Sequence, residues 1–468
     1  MCAQIVHTPS TLSGIDPDLV ARYDRPGPRY TSYPTAVEFR EGFTHTDYAP
    51  LLERCGNDEE LSLYIHLPFC EHRCTSCGCH VVATRHRDVA AEYLDFLEKE
   101  IDLVCEHMSE RPPVSQFHLG GGTPTYYSPA QLQRINDHIG QRFEILPEAE
   151  KAIEVDPRVT THEHIDTLAR MGFNRLSMGV QDFDPVVQEA IGRGQDAEST
   201  QQLFVYCRRQ EFDSINLDLI YGLPHQTVSS FAETVKAVLT LMPDRLALYS
   251  YAHVPWIRGN QKKMHAEALP SRETKLELFE LARAEFVENG YQQIGMDHFA
   301  LQDDEMSHAR RRHELYRNFM GYTVKRSSTL MGFGISSIGE VGGAFVQNAK
   351  KLSTYYSLLD RGLLPVEKGY QLSADDSVRR GVILSLMCNL NVDFAQVESM
   401  FGVRFHEYFS LELDELRDGP ARDNLVVIDE ENIAVTAIGQ LFVRNVCMIF
   451  DRYLREKPPE KPMYSRTV

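Results

Sequence analysis

Four of the chain's ten cysteines fall in one short stretch, Cys70, Cys74, Cys77 and Cys79, while Cys2, Cys55, Cys105, Cys207, Cys388 and Cys447 are scattered with no pairing rhythm. The spacing Cys-x3-Cys-x2-Cys over Cys70, Cys74 and Cys77 gathers three soft, negatively charged thiolates on a single loop. Such a set can hold three irons of a four-iron, four-sulfur cube and leave the fourth iron open. An open iron allows a small molecule to coordinate and receive an electron. The alternative is a structural zinc site on Cys70, Cys74, Cys77 and either Cys79 or His80. Zinc usually draws on two separated ligand pairs, whereas here all donors crowd one loop. His66 and His72 flank the cysteines and read more simply as hydrogen-bonding groups, outside the metal site.

The opening MCAQIVHTPSTLSG has neither a basic nor an apolar leader region, so a reducing cytosol is the expected setting and disulfides are not expected. Hydrophobic residues make up 43% of the 468 and charged residues 25%, a balance that supports a buried core. The net charge of −19 opposes binding to a polyanion over the whole surface, so no nucleic-acid partner is expected. No run of about 18 apolar residues occurs, so no membrane partner is expected either.

Placing these residues takes regular elements. Short apolar runs at Leu61–Leu67, Val114–Leu119, Ala152–Val155, Arg175–Val180, Ser214–Ile220 and Arg245–Tyr251 read as strands. Helical patterns lie between them: Ser128-Pro129 and Thr161 mark helix starts, and Gly172 and Gly290 mark helix ends. Alternating strand and helix predicts right-handed βαβ units and a parallel sheet, either open or curved into a partial barrel. The unusual polar residues follow the strand ends. The cysteine loop comes after the first, Gly120-Gly121-Gly122-Thr123-Pro124 after the second, and Glu154-Val155-Asp156-Pro157 closes the third. Gln181-Asp182 ends the fourth strand, Asp218 lies near the end of the fifth, and Tyr251-Ala252-His253 ends the sixth. In parallel α/β folds the active site gathers at that rim. Residues 1–60 read as an N-terminal arm, 61–365 as the βα body with extensions, and 366–468 as a mostly helical C-terminal domain. Within the last, Asp375–Leu390 reads as an amphipathic helix and Leu425–Thr436 as a hairpin. The run Arg310-Arg311-Arg312 reads as a solvated helix face, with a cationic cradle for a carboxylate-rich substrate as the sharper alternative.

Cys-x3-Cys-x2-Cys after a first βα-barrel strand resembles the radical S-adenosylmethionine superfamily. Within it, YIHLPFC at 64–70, CGC at 77–79 and PRYTSYPTA at 28–36 resemble the oxygen-independent coproporphyrinogen III oxidase family. So do GGGTPT at 120–125, IEVDPR at 153–158, NRLSMGVQDF at 174–183, DLIYGLP at 218–224 and GMDHFA at 295–300. The resemblance implies an α/β fold, a partial (β/α)6 radical S-adenosylmethionine barrel, whose active site the arm covers. It implies one [4Fe-4S] cluster on Cys70, Cys74 and Cys77, with Cys79 not a ligand. A first S-adenosylmethionine would meet Tyr64, Gly121, Glu154 and Ile338, with Tyr64 and Glu154 also catalytic. A second would meet Gly122, Thr123, Gln181, Arg193, Asp218 and Ala252. Carboxylates such as Glu154 and Asp218 suit ribose hydroxyls or an ammonium, and Arg193 suits a carboxylate. Taken alone, any of these charges would more often be a solvated face or a local ion pair. Family members usually carry an aromatic residue before the third cysteine, where this chain has Ser76, so Ser76 is expected to face the nucleotide without stacking on it.

The activity so implied is anaerobic oxidative decarboxylation of coproporphyrinogen III to protoporphyrinogen IX, in haem synthesis. Taking hydrogen from an unactivated carbon without oxygen exceeds any side chain; a 5′-deoxyadenosyl radical supplied by the cofactors would do it. A flavodoxin or ferredoxin system as electron donor and a cytoplasmic monomer are further expectations. The other readings are a related haem chaperone, a radical haem-modifying methyltransferase, and a non-enzymatic zinc module.

Overall fold

The computed structural model describes residues 16–56, 60–327, 329–456 and 463–467. Cys2 and the remainder of the first fifteen residues lie outside the described residues. Six strands form the centre: β1 (Leu61–Leu67), β2 (Val114–Gly121), β3 (Ile145–Val155), β4 (Arg175–Gln181), β5 (Ser214–Tyr221) and β6 (Arg245–Ser250). The helices that follow them are α1 (Asp88–His107), α2 (Pro129–Arg142), α3 (His162–Arg170), α4 (Ala197–Arg209), α5 (Val228–Leu241) and α6 (Arg272–Glu288). Neighbours among β1 to β6 pair in parallel, in chain order. The βαβ expectation therefore holds, with strand starts displaced only at β3.

Local chemistry starts the helices where the sequence marks them. Ser128 accepts from the Gln131 N–H at 3.3 Å, while the Gln131 side chain accepts from the Ser128 N–H at 2.9 Å. This reciprocal cap satisfies two orphan donors of α2. At α3 a histidine takes the same part: Thr161 caps the His164 N–H, and His164 Nδ1 accepts from the Thr161 N–H at 3.1 Å.

The sheet is larger than the six expected strands. It extends through β7 (Tyr291–Gln293), β8 (His298–Leu301), β9 (Thr329–Phe333), β10 (Ile338–Val341), β11 (Ala344–Asn348) and β12 (Val366–Gln371). The order is β12-β11-β10-β9-β1-β2-β3-β4-β5-β6-β8-β7, twelve strands with two free ends, so no barrel closes. β9 joins β1 in parallel and the other additions are antiparallel. Because β12 belongs to this sheet, sheet residues lie on both sides of the boundary expected at residue 365.

The pleat sorts the side chains. In β4, Leu176, Met178 and Val180 are buried in the main core, while Ser177, Gly179 and Gln181 line a cavity on the inner face. Successive residues of a strand point to opposite faces, so one strand serves core and site at once. Beyond the sheet, α7 (Ala374–Asn389) and shorter helices surround a second core, with a three-stranded sheet that includes the expected hairpin as Val426–Ile428 and Asn432–Val435.

The arm joins that second core. Tyr30 and Tyr33 are each 2% exposed and lie in it. The Tyr30 hydroxyl donates to Asp451 at 2.9 Å, and the Tyr33 hydroxyl accepts from the Arg452 N–H at 3.1 Å. Arg29 turns toward the βα body, where it pairs with Asp297 and lies 5.9 Å from the Tyr249 ring centre, and Tyr48, Leu51 and Leu52 of the arm are buried in the main core. Further along, Arg40 exchanges two backbone hydrogen bonds with Gly369 of β12, at 2.8 and 3.1 Å. Arg310 donates to the Asn389 carbonyl at the end of α7, Arg311 to the Gln302 carbonyl, and Arg312 to Glu314. The arginine run is thus taken up by helix-end and local partners, not by a cradle.

Candidate active site

The cysteine loop leaves β1 through Pro68 and Phe69 and is closed by its own ends. Val82 donates to the Pro68 carbonyl at 2.8 Å and Thr84 to the Cys70 carbonyl at 2.9 Å. Outside partners then fix its middle. Thr75 donates through its N–H to Ile191 and through its hydroxyl to Ala190. Asn260 Nδ2 lies 3.1, 3.0 and 3.0 Å from the carbonyl oxygens of Cys74, Thr75 and Cys77. Gln261 next to it reaches the carbonyls of Ser76 and Ala252. Neither residue carried a signal in the sequence, since both sit in a five-residue 3-10 helix, Gly259–Lys263, too short to show a period.

The loop overhangs a cavity of about 350 Å³ at the C-terminal ends of the parallel strands. Cys70, Cys74, Ser76, Cys77, Gly121, Gly122, Thr123, Glu154, Gln181, Arg193 and Asp218 all line it, together with Cys79 and Arg158. A second cavity of about 160 Å³ lies deeper between the strands and shares Glu154, Ser177, Asp218 and Tyr249 with the first. Tyr64, Ala252 and Ile338 are expected site residues that do not line the upper cavity. Tyr64 nevertheless meets Glu154 across Gly120, where an added Cβ would lie 3.0 Å from the tyrosine ring and 3.1 Å from the carboxylate. Ile338 stands one row further out, against Gly332, which pairs with Tyr64.

The glycines are there for space. A Cβ on Gly122 would come 2.5 Å from the Pro68 carbonyl oxygen, and one on Gly121, whose φ is +121°, would come 2.8 Å from the His66 ring. Only glycine permits both the close approach and that φ. The Gly121 N–H is held by Glu154 Oε2 at 3.1 Å. Burial would raise the Glu154 carboxyl, but the neighbouring His118 and this N–H hold it below its usual range. Asp218 behaves oppositely: burial, then repulsion from Glu154, pushes it up to about 6 despite hydrogen bonds from Asn216 and Ser177. Burial pushes His66 down to about 4; it is a neutral ring between the Tyr64 hydroxyl and the His80 carbonyl, apart from the cysteines.

Each of the three sulfurs has its own polar neighbour. The Thr123 hydroxyl is 3.2 Å from Cys70 Sγ, and the Cys79 N–H donates to Cys77 Sγ at 3.4 Å. Arg158 and Arg193 lie 3.7 and 3.9 Å from Cys74 Sγ. Hydrogen bonds from Cys79 hold the Cys77 thiol below its usual range. This donor set fits an iron–sulfur cube: three sulfurs on one cavity wall, surrounded by donors that stabilise thiolates. A single zinc ion would need its ligands converging on one point. Among the described residues no three His, Cys, Asp or Glu side chains do so. Those residues also contain no disulfide, and no helix long and apolar enough to cross a membrane.

Known proteins resemble this chain. Residues 64–238 match the model of the radical SAM superfamily, and residues 372–442 that of the HemN C-terminal domain. The chain is 45% identical over 439 residues to the oxygen-independent coproporphyrinogen III oxidase of Salmonella typhimurium, covering 94% of this chain and 95% of that protein. The protein of the same name from Synechocystis is 41% identical over 457 residues, 96% of this chain and 97% of the other. A solved structure, coproporphyrinogen III oxidase (HemN) from Escherichia coli, superposes with a TM-score of 0.89 at 43% identity, over 94% of this chain and 99% of that one.

Proposed function

From the premise that the chain belongs to the oxygen-independent coproporphyrinogen III oxidases, radical S-adenosylmethionine enzymes, we propose how its own residues serve that activity. The reaction is the anaerobic oxidative decarboxylation of coproporphyrinogen III to protoporphyrinogen IX, in haem synthesis. When bound, the [4Fe-4S] cluster and S-adenosylmethionine supply a 5′-deoxyadenosyl radical that takes hydrogen from a substrate propionate.

The observation that carries the assignment of parts is the shared wall: Cys70, Cys74 and Cys77 open on the same cavity as the glycine rim, Glu154, Asp218 and Arg193. Three thiolates bind the cluster there, and Cys79 supports Cys77 without ligating. Gly121, with its N–H oriented by Glu154, and Tyr64 and Ile338 behind it form the place of one S-adenosylmethionine. Glu154 and Tyr64 are the residues of this group to which we assign a catalytic part. Gly122, Thr123, Gln181, Arg193, Asp218 and the Ala252 backbone form the place of a second. Ser76 borders the nucleotide. An electron donor of the flavodoxin or ferredoxin kind, a monomeric state and a cytoplasmic location complete the reading. The relatives named above are oxidases, which favours this reaction over a haem chaperone or a haem-modifying methyltransferase.

Anaerobic reconstitution tests the ligand set. Wild type takes up about four irons, as one cube requires. Replacing Cys70, Cys74 or Cys77 by Ser removes most of that iron, while Cys79→Ser keeps it. Full iron in the three Ser variants, or loss in Cys79→Ser equal to that in Cys74→Ser, would refute the assignment.

A further inference from the structure

The geometry points to Arg158 as a positioning residue that sets the electron affinity of the cluster through the Cys74 sulfur. This rests on the four-iron reading of Cys70, Cys74 and Cys77.

The three sulfurs are not electrically equivalent. Cys70 faces a hydroxyl and Cys77 a backbone N–H. Arg73 and Arg258 influence Cys77 through space. Among the described residues, only Cys74 of the three has guanidinium groups within hydrogen-bonding distance, Arg158 Nη2 at 3.7 Å and Arg193 Nη1 at 3.9 Å. Cys74 is also buried.

Arg158 is held in place from all sides. Its backbone N–H and Nε donate to Asp156 Oδ1 at 3.1 and 3.0 Å, Nη2 donates to Asp156 Oδ2 at 2.6 Å, and Nη1 donates to the Arg193 carbonyl at 2.7 Å. A planar guanidinium so locked keeps one N–H aimed at the sulfur with little further loss of freedom. Arg193 Nη2 approaches the same carboxylate at 3.5 Å. Two guanidinium charges against one carboxylate leave a net positive charge beside a buried ligand atom.

One-electron reduction adds negative charge at the sulfurs. Positive charge and N–H donors there favour the reduced form and raise its potential. Asp156 acts with the opposite sign: it orients Arg158 and at the same time offsets its charge. An arginine kept solely for the fold has no need to aim at a thiolate.

The test is an anaerobic redox titration with dithionite, read by electron paramagnetic resonance with iron content measured alongside. The proteins are reconstituted wild type, Arg158→Gln, Arg158→Lys and Asp156→Asn. Arg158→Gln shifts the reduced-to-oxidised ratio at fixed potential about tenfold toward oxidised, ~59 mV lower for a one-electron couple. Arg158→Lys keeps the charge and recovers most of the shift, and Asp156→Asn moves the potential upward. Potentials equal to wild type in the loaded fraction of every variant, with only the iron content reduced, would overturn the proposal in favour of a structural role. Should Asp156→Asn load too little iron to titrate, the Gln and Lys variants decide alone, and equal potentials again overturn it. Wild type that takes up no iron would refute the four-iron reading instead.

Discussion

At the scale of single residues, two carboxylates in one cavity are shifted in opposite directions. Glu154 is held ionised by His118 and the Gly121 N–H, and its charge helps push Asp218 up to about 6. A raised carboxyl is neutral below that value and charged above it, so a cationic sulfonium or ammonium gains a partner as pH rises. If only the ionised form binds, S-adenosylmethionine affinity rises about fourfold from pH 5.5 to 7.5, following the ionised fraction. Equilibrium binding to reconstituted protein checks this, and Asp218→Asn should flatten the profile; a wild-type profile that is already flat excludes Asp218 from the contact. Ser76 gives a second test. Aromatic stacking on a base is worth roughly 1–3 kcal/mol, a factor of about 5 to 150. Ser76→Phe should tighten binding within that range; weaker binding with iron intact means the space is already filled, and unchanged binding means Ser76 does not face the nucleotide. Residues whose type alone implies chemistry were legible: three thiolates on one loop, glycines at a strand end, carboxylates on the same rim. Asn260 was not, because an amide in a five-residue 3-10 helix has no periodicity or charge to single it out. Arg158 stood inside the IEVDPR motif, but a sequence does not show where a guanidinium points.

At the scale of elements, short apolar runs located the six central strands because each strand sends apolar side chains into the main core. The edge strand β12 escaped notice for a physical reason. Its sequence VEKGYQ places Glu367 and Lys368 where a buried strand would carry apolar residues, and charge on an outer strand is how sheets discourage further pairing. Between α1 and the turn after β9, a buried acid does structural work that periodicity also hid. Glu100 is 2% exposed, accepts from the Gly334 N–H and the Tyr355 hydroxyl, and lies against Asn348. Burial pushes its carboxyl from the ordinary 4.5 up to about 7, outweighing those hydrogen bonds. The folded state therefore favours the protonated form. Its contribution is fully present below about pH 4.5 and is lost as pH rises through about 7, ~3 kcal/mol in all. Urea unfolding at pH 5 and pH 8 should show this fall in wild type and much less of it in Glu100→Gln. Equal slopes in both proteins would mean that Glu100 is not the titrating group.

At the scale of the whole molecule, the arm was expected to cover the active site, and its tyrosines are spent elsewhere. Tyr30 and Tyr33 complete the core of the C-terminal domain, while Arg29 reaches toward Tyr249 on the cavity wall. Two variants separate the roles. Tyr30→Phe removes the hydroxyl donor from Asp451 Oδ2, leaving the carboxylate only its two backbone donors on Oδ1, and should cost about 1–3 kcal/mol in chemical denaturation, with turnover of the folded fraction unchanged. Arg29→Ala removes the ion-pair partner of the buried Asp297, so it should lower stability as well, and in the folded fraction it should raise the number of S-adenosylmethionine molecules cleaved per carboxylate lost. A coupling ratio equal to wild type would leave the arm a packing element alone. Sequence motifs exposed the arm's residues but not their destination, because contacts more than 400 positions apart leave no local trace. The two bonds between Arg40 and Gly369 have a different consequence. An outer strand with free N–H and C=O groups is a template on which another copy of the chain can add its own strand. By occupying part of β12, the arm denies that template to neighbouring molecules, so the same segment that links the two cores also guards the protein, at high concentration and during synthesis, against aggregation.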